Sequence, residues 1–402
     1  MMHSRKQRWW MLLLLALAEC LGMGLWMTAS AVTGPLAELW QLTSFQTGWL
    51  TTVVQLGFVF GTACLAFTNV VDLIDNRKLF ASCAVLAAIS NYGLVFCDGF
   101  ILALVCRFLT GMFLAGVYPP AMKMIATWFR DFRGLAIGTI VGALTVGKAS
   151  PYLLKQWGQG DWQTVVLGSS LAALLAAALV GLFYRTGPFP FTRRPFDWAR
   201  LGEVLKHRPT RLATFGYLGH MWELYAMWTW LPVFLAAAAS QVEGVTPQMV
   251  DLASFAAIAV GGLGCVLGGL CADRLGRPLV VNFSMLVSGV CCVTIGLFYG
   301  GPFWVIVALA MIWGFFVVAD SAQFSAMVTE VAPQHAVGTA LSLQTSLGFL
   351  LTAFTIQWVP VMQAAVGWRW GFAVLALGPA LGIYAITRWT RYVKDGATRS
   401  LS

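Results

Sequence analysis

Long apolar stretches separated by short polar ones set the rhythm of this chain. A helix needs about 20 mostly apolar residues to cross roughly 30 Å of hydrocarbon. Twelve segments qualify: 9–33, 47–69, 79–97, 100–124, 134–156, 163–184, 209–239, 249–272, 279–299, 302–327, 338–361 and 369–388. Most connections between them are short. The exception, 185–208, carries Arg185, Arg193, Arg194, Arg200, Lys206 and Arg208. The pattern predicts an all-α polytopic membrane protein of twelve spans, divided as 1–184, a basic linker 185–208, and 209–402.

Composition sharpens this reading. Only 10% of residues are charged and 59% are apolar. Soluble domains run near 25% charged, so lipid is the expected solvent for most of this surface. The net charge of +9 does not point to nucleic acid, because the basic residues sit in short stretches between apolar runs, as a positive-inside signal does. With both termini cytoplasmic, all 25 Lys and Arg except Arg107, Lys123, Lys148, Lys155 and Arg369 fall inside. Both ends are therefore expected in the cytoplasm. Arg5, Lys6 and Arg8 before the first apolar run imitate a signal peptide, and 17–20 hints at a lipoprotein box. Glu19 spoils that box and the run continues past it, so a retained first span is expected. The nine cysteines show no CxxC spacing and read as packing residues. No metal, cofactor or enzymatic constellation is evident.

The two halves match at an offset near 204. Glu19 followed by Trp26 answers Glu223 followed by Trp230. Gly134 answers Gly338, and Asp161-Trp162 answers Gly367-Trp368-Arg369. Three matches in register suggest a parallel repeat about an axis along the membrane normal.

After the eighth segment, Gly269-Leu-Cys-Ala-Asp273-Arg274-Leu-Gly276-Arg277 resembles the major facilitator loop signature G-x-x-x-D-R-x-G-R. Gly269 is expected to permit close helix packing, Asp273 to face a neighbouring helix N-terminus, and Gly276 to allow the turn. The first-half copy, with Asp72, Asp75, Asn76, Arg77 and Lys78, lacks both glycines. Arg107-Phe-Leu-Thr-Gly111 resembles the family's R-x-x-x-G element. Gly138, Gly142, Gly147 and Pro151 resemble its glycine–proline element of antiporters, with Lys148 where a small residue is usual. The tracts 118–134 and 319–325 also resemble bacterial members loosely grouped with nitrate/nitrite porters. The arginines with which those hold their anion, in helices 2 and 8, are missing here.

The resemblance implies two pseudo-symmetric six-helix bundles, alternating access, and a cavity lined by helices 1, 4, 7 and 10. An ionisable group at the bilayer centre costs roughly 2.5–3.5 kcal/mol on insertion scales, so each implies a partner or a wet cavity. Helical rise puts Glu19 roughly 16 Å in from Arg8 and Glu223 roughly 18 Å in from Arg211. In the family's arrangement these carboxylates are expected to face each other across the cavity and to carry a proton or substrate. His220, three residues before Glu223, shares its face. Asp320 and Gln323 share a face of the tenth segment. Lys148 is open to two readings, counter-ion of Asp320 or receptor of a substrate's anionic group, with snorkelling to the interface as a third. Arg107 is expected to gate or couple, and Trp26 and Trp230 to wall the substrate.

The leading expectation is a monomeric, secondary active transporter of a small polar or charged solute, coupled to protons, in a bacterial inner membrane. A passive uniporter and a membrane sensor on a transporter fold are the alternatives.

Overall fold

The computed structural model describes residues 2–68, 74–157, 161–189 and 197–399. Asp72, Arg193 and Arg194 lie outside the described residues. Among those described, eleven helices are long and apolar enough to span a membrane. Six precede the linker: α1 (Met2–Ala31), α2 (Ser44–Thr68), α3 (Asn76–Tyr92), α4 (Phe100–Leu114 continued by Tyr118–Ala126), α5 (Arg133–Trp157) and α6 (Trp162–Phe183). After it come α7 (Arg208–Ala239), α8 (Pro247–Leu275), α9 (Arg277–Thr294), α10 (Phe303–Ala319 continued by Ser321–Val331), α11 (Val337–Val366) and α12 (Leu377–Arg399). The twelfth long helix is α7, whose tyrosines, tryptophans, His220 and Glu223 dilute its hydropathy. Its polarity is offset by protein, since most of its side chains are buried.

Two predicted spans are broken where the sequence pattern runs unbroken. In α4 the helix lapses over 115–117, just before Pro119 and Pro120, which cannot donate a helical hydrogen bond. In α10 the break falls on Asp320, whose carbonyl accepts the Gln323 N–H at 2.9 Å in a tight turn. No proline marks it. The two breaks stand at equivalent places in the two sets of six helices.

Small residues let backbones meet where lipid offers no hydrophobic drive for association. A Cβ added at Gly111 would overlap the Val54 carbonyl between α4 and α2, and one at Gly314 would overlap the Ala257 carbonyl between α10 and α8. Gly142 of α5 and Gly262 of α8 face each other, each added Cβ standing 2.8–2.9 Å from the other's carbonyl oxygen. Gly269 does not play the expected packing role. Nothing lies within 4 Å of a Cβ there, and Gly264 and Gly268 make the approach to α10 instead. Gly276 does take the left-handed φ of +87° that turns α8 into α9. Asp273 lies against Gly134 in the first turn of α5, 3.3 Å from a Cβ built there, where the helix dipole favours an anion.

This packing separates two glycines. Gly314→Ala should destabilise the purified protein by about 1–3 kcal/mol, the usual cost of overpacking. Gly269→Ala should leave the thermal unfolding midpoint unchanged or slightly raised, and equal losses for both would contradict the assignment of the close contact.

Candidate functional site

Six helices enclose a cavity of about 140 Å³. Its wall comes from Trp26 of α1, Tyr118 and Met122 of α4, Ile137 to Lys148 of α5, Tyr217 to Trp228 of α7, Ser321 and Ser325 of α10, and Phe349 of α11. Most of these positions lie on the halves of their helices nearer the chain termini. By helical rise, Thr345 is about 12 Å and Lys148 about 22 Å from that face. The cavity therefore belongs to the terminus side of the molecule.

Aromatic rings close its far end. Trp26 lies 4.9 Å from Phe58, 5.6 Å from Phe349 and 5.7 Å from Tyr225, centroid to centroid, and Phe58 stands 4.7 Å from Phe349. Offset rings at such distances attract each other beyond their burial. Beyond them the two sets of helices are tied by the Lys155–Asp251 ion pair at 2.9 Å and by Gln357 of α11, 3.0 Å from Thr52 Oγ1 of α2. Trp230 belongs to this seal rather than to the cavity. Its indole N–H donates to the Ile356 carbonyl at 2.7 Å, and its ring abuts Gly48 of α2.

Lys148 is the centre of the site. It is 2% exposed, so it does not snorkel. Its ammonium stands 4.0 Å from the Trp26 ring centroid, 4.6 Å from that of Tyr225 and 5.1 Å from that of Trp228, and it donates to the Tyr225 hydroxyl. Three π-faces supply the negative potential that a desolvated cation requires. Tyr225 and Trp228 belong to α7, so a cation from one set of helices is held by rings of the other.

Asp320 is not its partner. His220 Nδ1 lies 2.9 Å from Asp320 Oδ1, at ion-pair distance without the alignment of a hydrogen bond, and His220 Nε2 meets Ser321 Oγ at 3.0 Å. The expected Lys148–Asp320 pair is thus replaced by His220–Asp320, placed where α10 breaks. His220 lines the cavity and Asp320 stands behind it. Gln323 turns to the loop signature, accepting from Arg277 Nη1 at 2.8 Å, while Arg277 Nε donates to Glu330 at 2.7 Å. Arg274 sits at the end of α8, and Arg77 follows Asp75, whose side chain accepts the Arg77 backbone N–H at the start of α3.

Neither matched glutamate lines the cavity. Glu223 points at α9 and α10, where it accepts from Ser288 Oγ at 2.9 Å, from Cys292 Sγ at 3.3 Å and from the Trp313 indole N–H. It is a locked hydrogen-bond hub, paired with neither His220 nor Glu19. Glu19 is its opposite in environment. It is fully buried, and neither carboxyl oxygen has a hydrogen-bond partner. Lys148 lies beside it, across the close contact of α5 with α1. The backbone explains this, because a Cβ at Gly147 would overlap the Cys20 carbonyl and so Lys148 starts level with Glu19. Its side chain then runs to Trp26, seven residues and two turns further along α1 on nearly the same face.

Arg107 is wholly buried and touches no carboxylate. It donates to the Leu25 carbonyl at 3.0 Å, the Trp26 carbonyl at 2.6 Å and Asn91 Oδ1 at 2.8 Å, with Leu50 O at 3.5 Å. A guanidinium fork suits such spread acceptors. It clamps α1, α2 and α3 together and fixes the backbone that carries the Trp26 ring.

The candidates Glu19, Lys148 and Trp26 are thus brought together, with His220 and Asp320 across the cavity, while Glu223, Gln323, Arg107 and Trp230 are engaged elsewhere. Tyr118, Tyr217 and Tyr225 were not anticipated as site residues, and of the tryptophans that could wall a substrate it is Trp228, not Trp230, that joins Trp26. The spacing 217, 221, 225, 228 on one face of α7 is the signal that marks the α7 residues.

The chain's relatives agree with this architecture. The family model described as Major Facilitator Superfamily matches residues 14–355. An MFS-type transporter, pytF, of Aspergillus terreus is 26% identical over 220 residues, 53% of this chain and 71% of that protein. A bacterial homologue of the human lysosomal transporter Spinster, solved inward-facing and unoccupied, superposes with a TM-score of 0.71 at 16% identity, covering 96% of this chain and 98% of that one. Its inward-facing, occupied form gives 0.69 at 16% identity, covering 96% and 97%. These matches carry the superfamily and the fold, and none points to the nitrate/nitrite porters in particular.

Arg107→Lys should lower the thermal unfolding midpoint of the purified protein, because one ammonium cannot reach all of these acceptors. Each buried acceptor left unmade costs about 1–3 kcal/mol. A variant as stable as the parent would show that the clamp contributes nothing.

Proposed function

The chain belongs to the major facilitator superfamily, and on that premise we propose that it is a secondary active transporter that couples a small polar or charged solute to a proton through Glu19 and Lys148. The observation that carries this reading is the buried, partnerless carboxyl group of Glu19 beside a lysine held in an aromatic cage. A bare carboxylate without donors is prohibitively costly in such a place, so the neutral acid is the form held here. Losing its proton creates a charge, and the ammonium that starts level with it is the group that answers.

Two arrangements of Lys148 follow. With Glu19 protonated, the ammonium stays in the cage formed by Trp26, Tyr225 and Trp228, facing the cavity. With Glu19 ionised, it turns to the carboxylate and leaves the α7 rings. Because those rings belong to the other set of helices, the proton on Glu19 biases how the two sets dock. That is the differential interaction an alternating-access cycle requires.

The basic residues flanking the terminus-side ends of the helices support a cytoplasmic placement of that face. The cavity then opens inward in this state, in the inner membrane of a bacterium. Glu223 drops out of the coupling proposal, since its three donors already stabilise it in place.

Flux into proteoliposomes under an imposed pH gradient tests the assignment. Glu19→Gln should abolish gradient-driven accumulation while leaving solute exchange across the membrane, and Glu223→Gln should keep accumulation at a reduced protein stability. Accumulation that survives Glu19→Gln would remove the coupling role of this residue.

A further inference from the structure

The charge inventory of the cavity wall is one-sided. Lys148 is the lining residue with a fixed charge; beside it stand the His220 imidazole and tyrosine, serine and threonine hydroxyls, and among the described residues no Asp, Glu, Asn or Gln lines the wall. An ammonium has three N–H donors, and Lys148 uses one, on the Tyr225 hydroxyl. The indole N–H groups of Trp26 and Trp228 are donors only; both are buried at 1% exposure and have no hydrogen-bond partner. Unmet buried donors around one cation make a site that favours a ligand rich in acceptors.

That imbalance sorts substrate classes. A cationic solute would meet an ammonium already seated on the aromatic faces and no carboxylate in the wall. A sugar would meet tyrosine, serine and threonine hydroxyls that donate and accept, but no amide or carboxylate side chain, and it would leave the charge of Lys148 unanswered. A small inorganic anion would exchange its hydration for a wall that is mostly rings and aliphatic groups. The volume of about 140 Å³ is of the order of ten waters, too small for a peptide or an oligosaccharide.

We infer that the cavity takes a small organic monocarboxylate, its acid group on Lys148 between the Trp26 and Trp228 indoles and its apolar body against the surrounding rings. This inference rests on the transporter reading above and names its substrate class. The charges close in both arrangements. A bound carboxylate neutralises Lys148 while Glu19 carries its proton, and after both leave, ionised Glu19 neutralises Lys148. The site crosses between states without net charge, so one anion moves with one proton and the cycle is electroneutral.

Titration calorimetry on the purified full-length protein tests the substrate class, using benzoate and phenylacetate against the neutral benzamide and the cationic benzylamine. The carboxylates should bind at least tenfold more tightly than the amide or the amine. Lys148→Gln should weaken benzoate binding at least tenfold, and Lys148→Arg should recover part of it, with thermal unfolding confirming that both variants are folded. Tighter binding of benzylamine or benzamide, or no binding of either carboxylate by the folded parent, overturns the inference. So does benzoate binding that is indifferent to Lys148→Gln. If a neutral or cationic solute accumulates under the proton gradient, the transporter reading stands and the anion assignment falls. If benzoate binds through Lys148 and no solute of any class moves, the assignment stands and the transport reading falls.

Discussion

A lysine ammonium buried in the middle of the membrane, with no carboxylate in contact, is the constraint around which this molecule is arranged. Desolvating such a charge costs several kcal/mol even after relaxation. Here the cost is met by three aromatic faces and a tyrosine hydroxyl. Those groups must be rigid to be effective, and the surrounding structure makes them so. Arg107 grips the carbonyls of Leu25 and Trp26 and thereby fixes the helix that presents the Trp26 ring. Gly147 lets α5 meet α1 closely enough for Lys148 to reach that ring. Phe58 and Phe349 back the cage and close the cavity above it.

The two sets of six helices share a plan and differ in chemistry. Both break their fourth helix at equivalent places, yet one break precedes a proline pair and the other carries Asp320 against His220. Both place a glutamate at equivalent depth in their first helix. In α7 it gathers Ser288, Cys292 and Trp313, and in α1 it gathers nothing. A repeated residue is thus a hydrogen-bond hub in one half and a carboxyl group without hydrogen-bond partners in the other. The loop signature shows the same divergence. Arg277 ties α9 to Gln323 and Glu330 of α10, whereas the first-half copy lacks the glycine that gives the α8–α9 turn its left-handed backbone.

Spans were legible because hydropathy and helical period act along one segment at a time; the cavity helices came only from the family resemblance, which implied α1, α4, α7 and α10 and missed α5 and α11. Glu19, Lys148, His220 and Trp26 were legible as residues too polar or too large to be idle in a membrane. Their partners were not. Whether Glu223 faces Glu19 or α9 depends on the rotation of α7 about its axis, and a 100° step per residue changes every neighbour. The same rotation moves Trp230 into the seal beyond the cavity and Trp228 into the cavity. The break at Asp320 was not legible either, because no proline announces it.

The central claim is that Glu19 holds a proton while Lys148 occupies the aromatic cage. Infrared difference spectroscopy of the reconstituted protein reads it directly, through the carbonyl stretch of a protonated carboxyl group assigned by its loss in Glu19→Gln. The account predicts that band at neutral pH in the parent protein, and its replacement by a carboxylate band as the pH is raised. A Glu19 already ionised at neutral pH, with no such band, would contradict it.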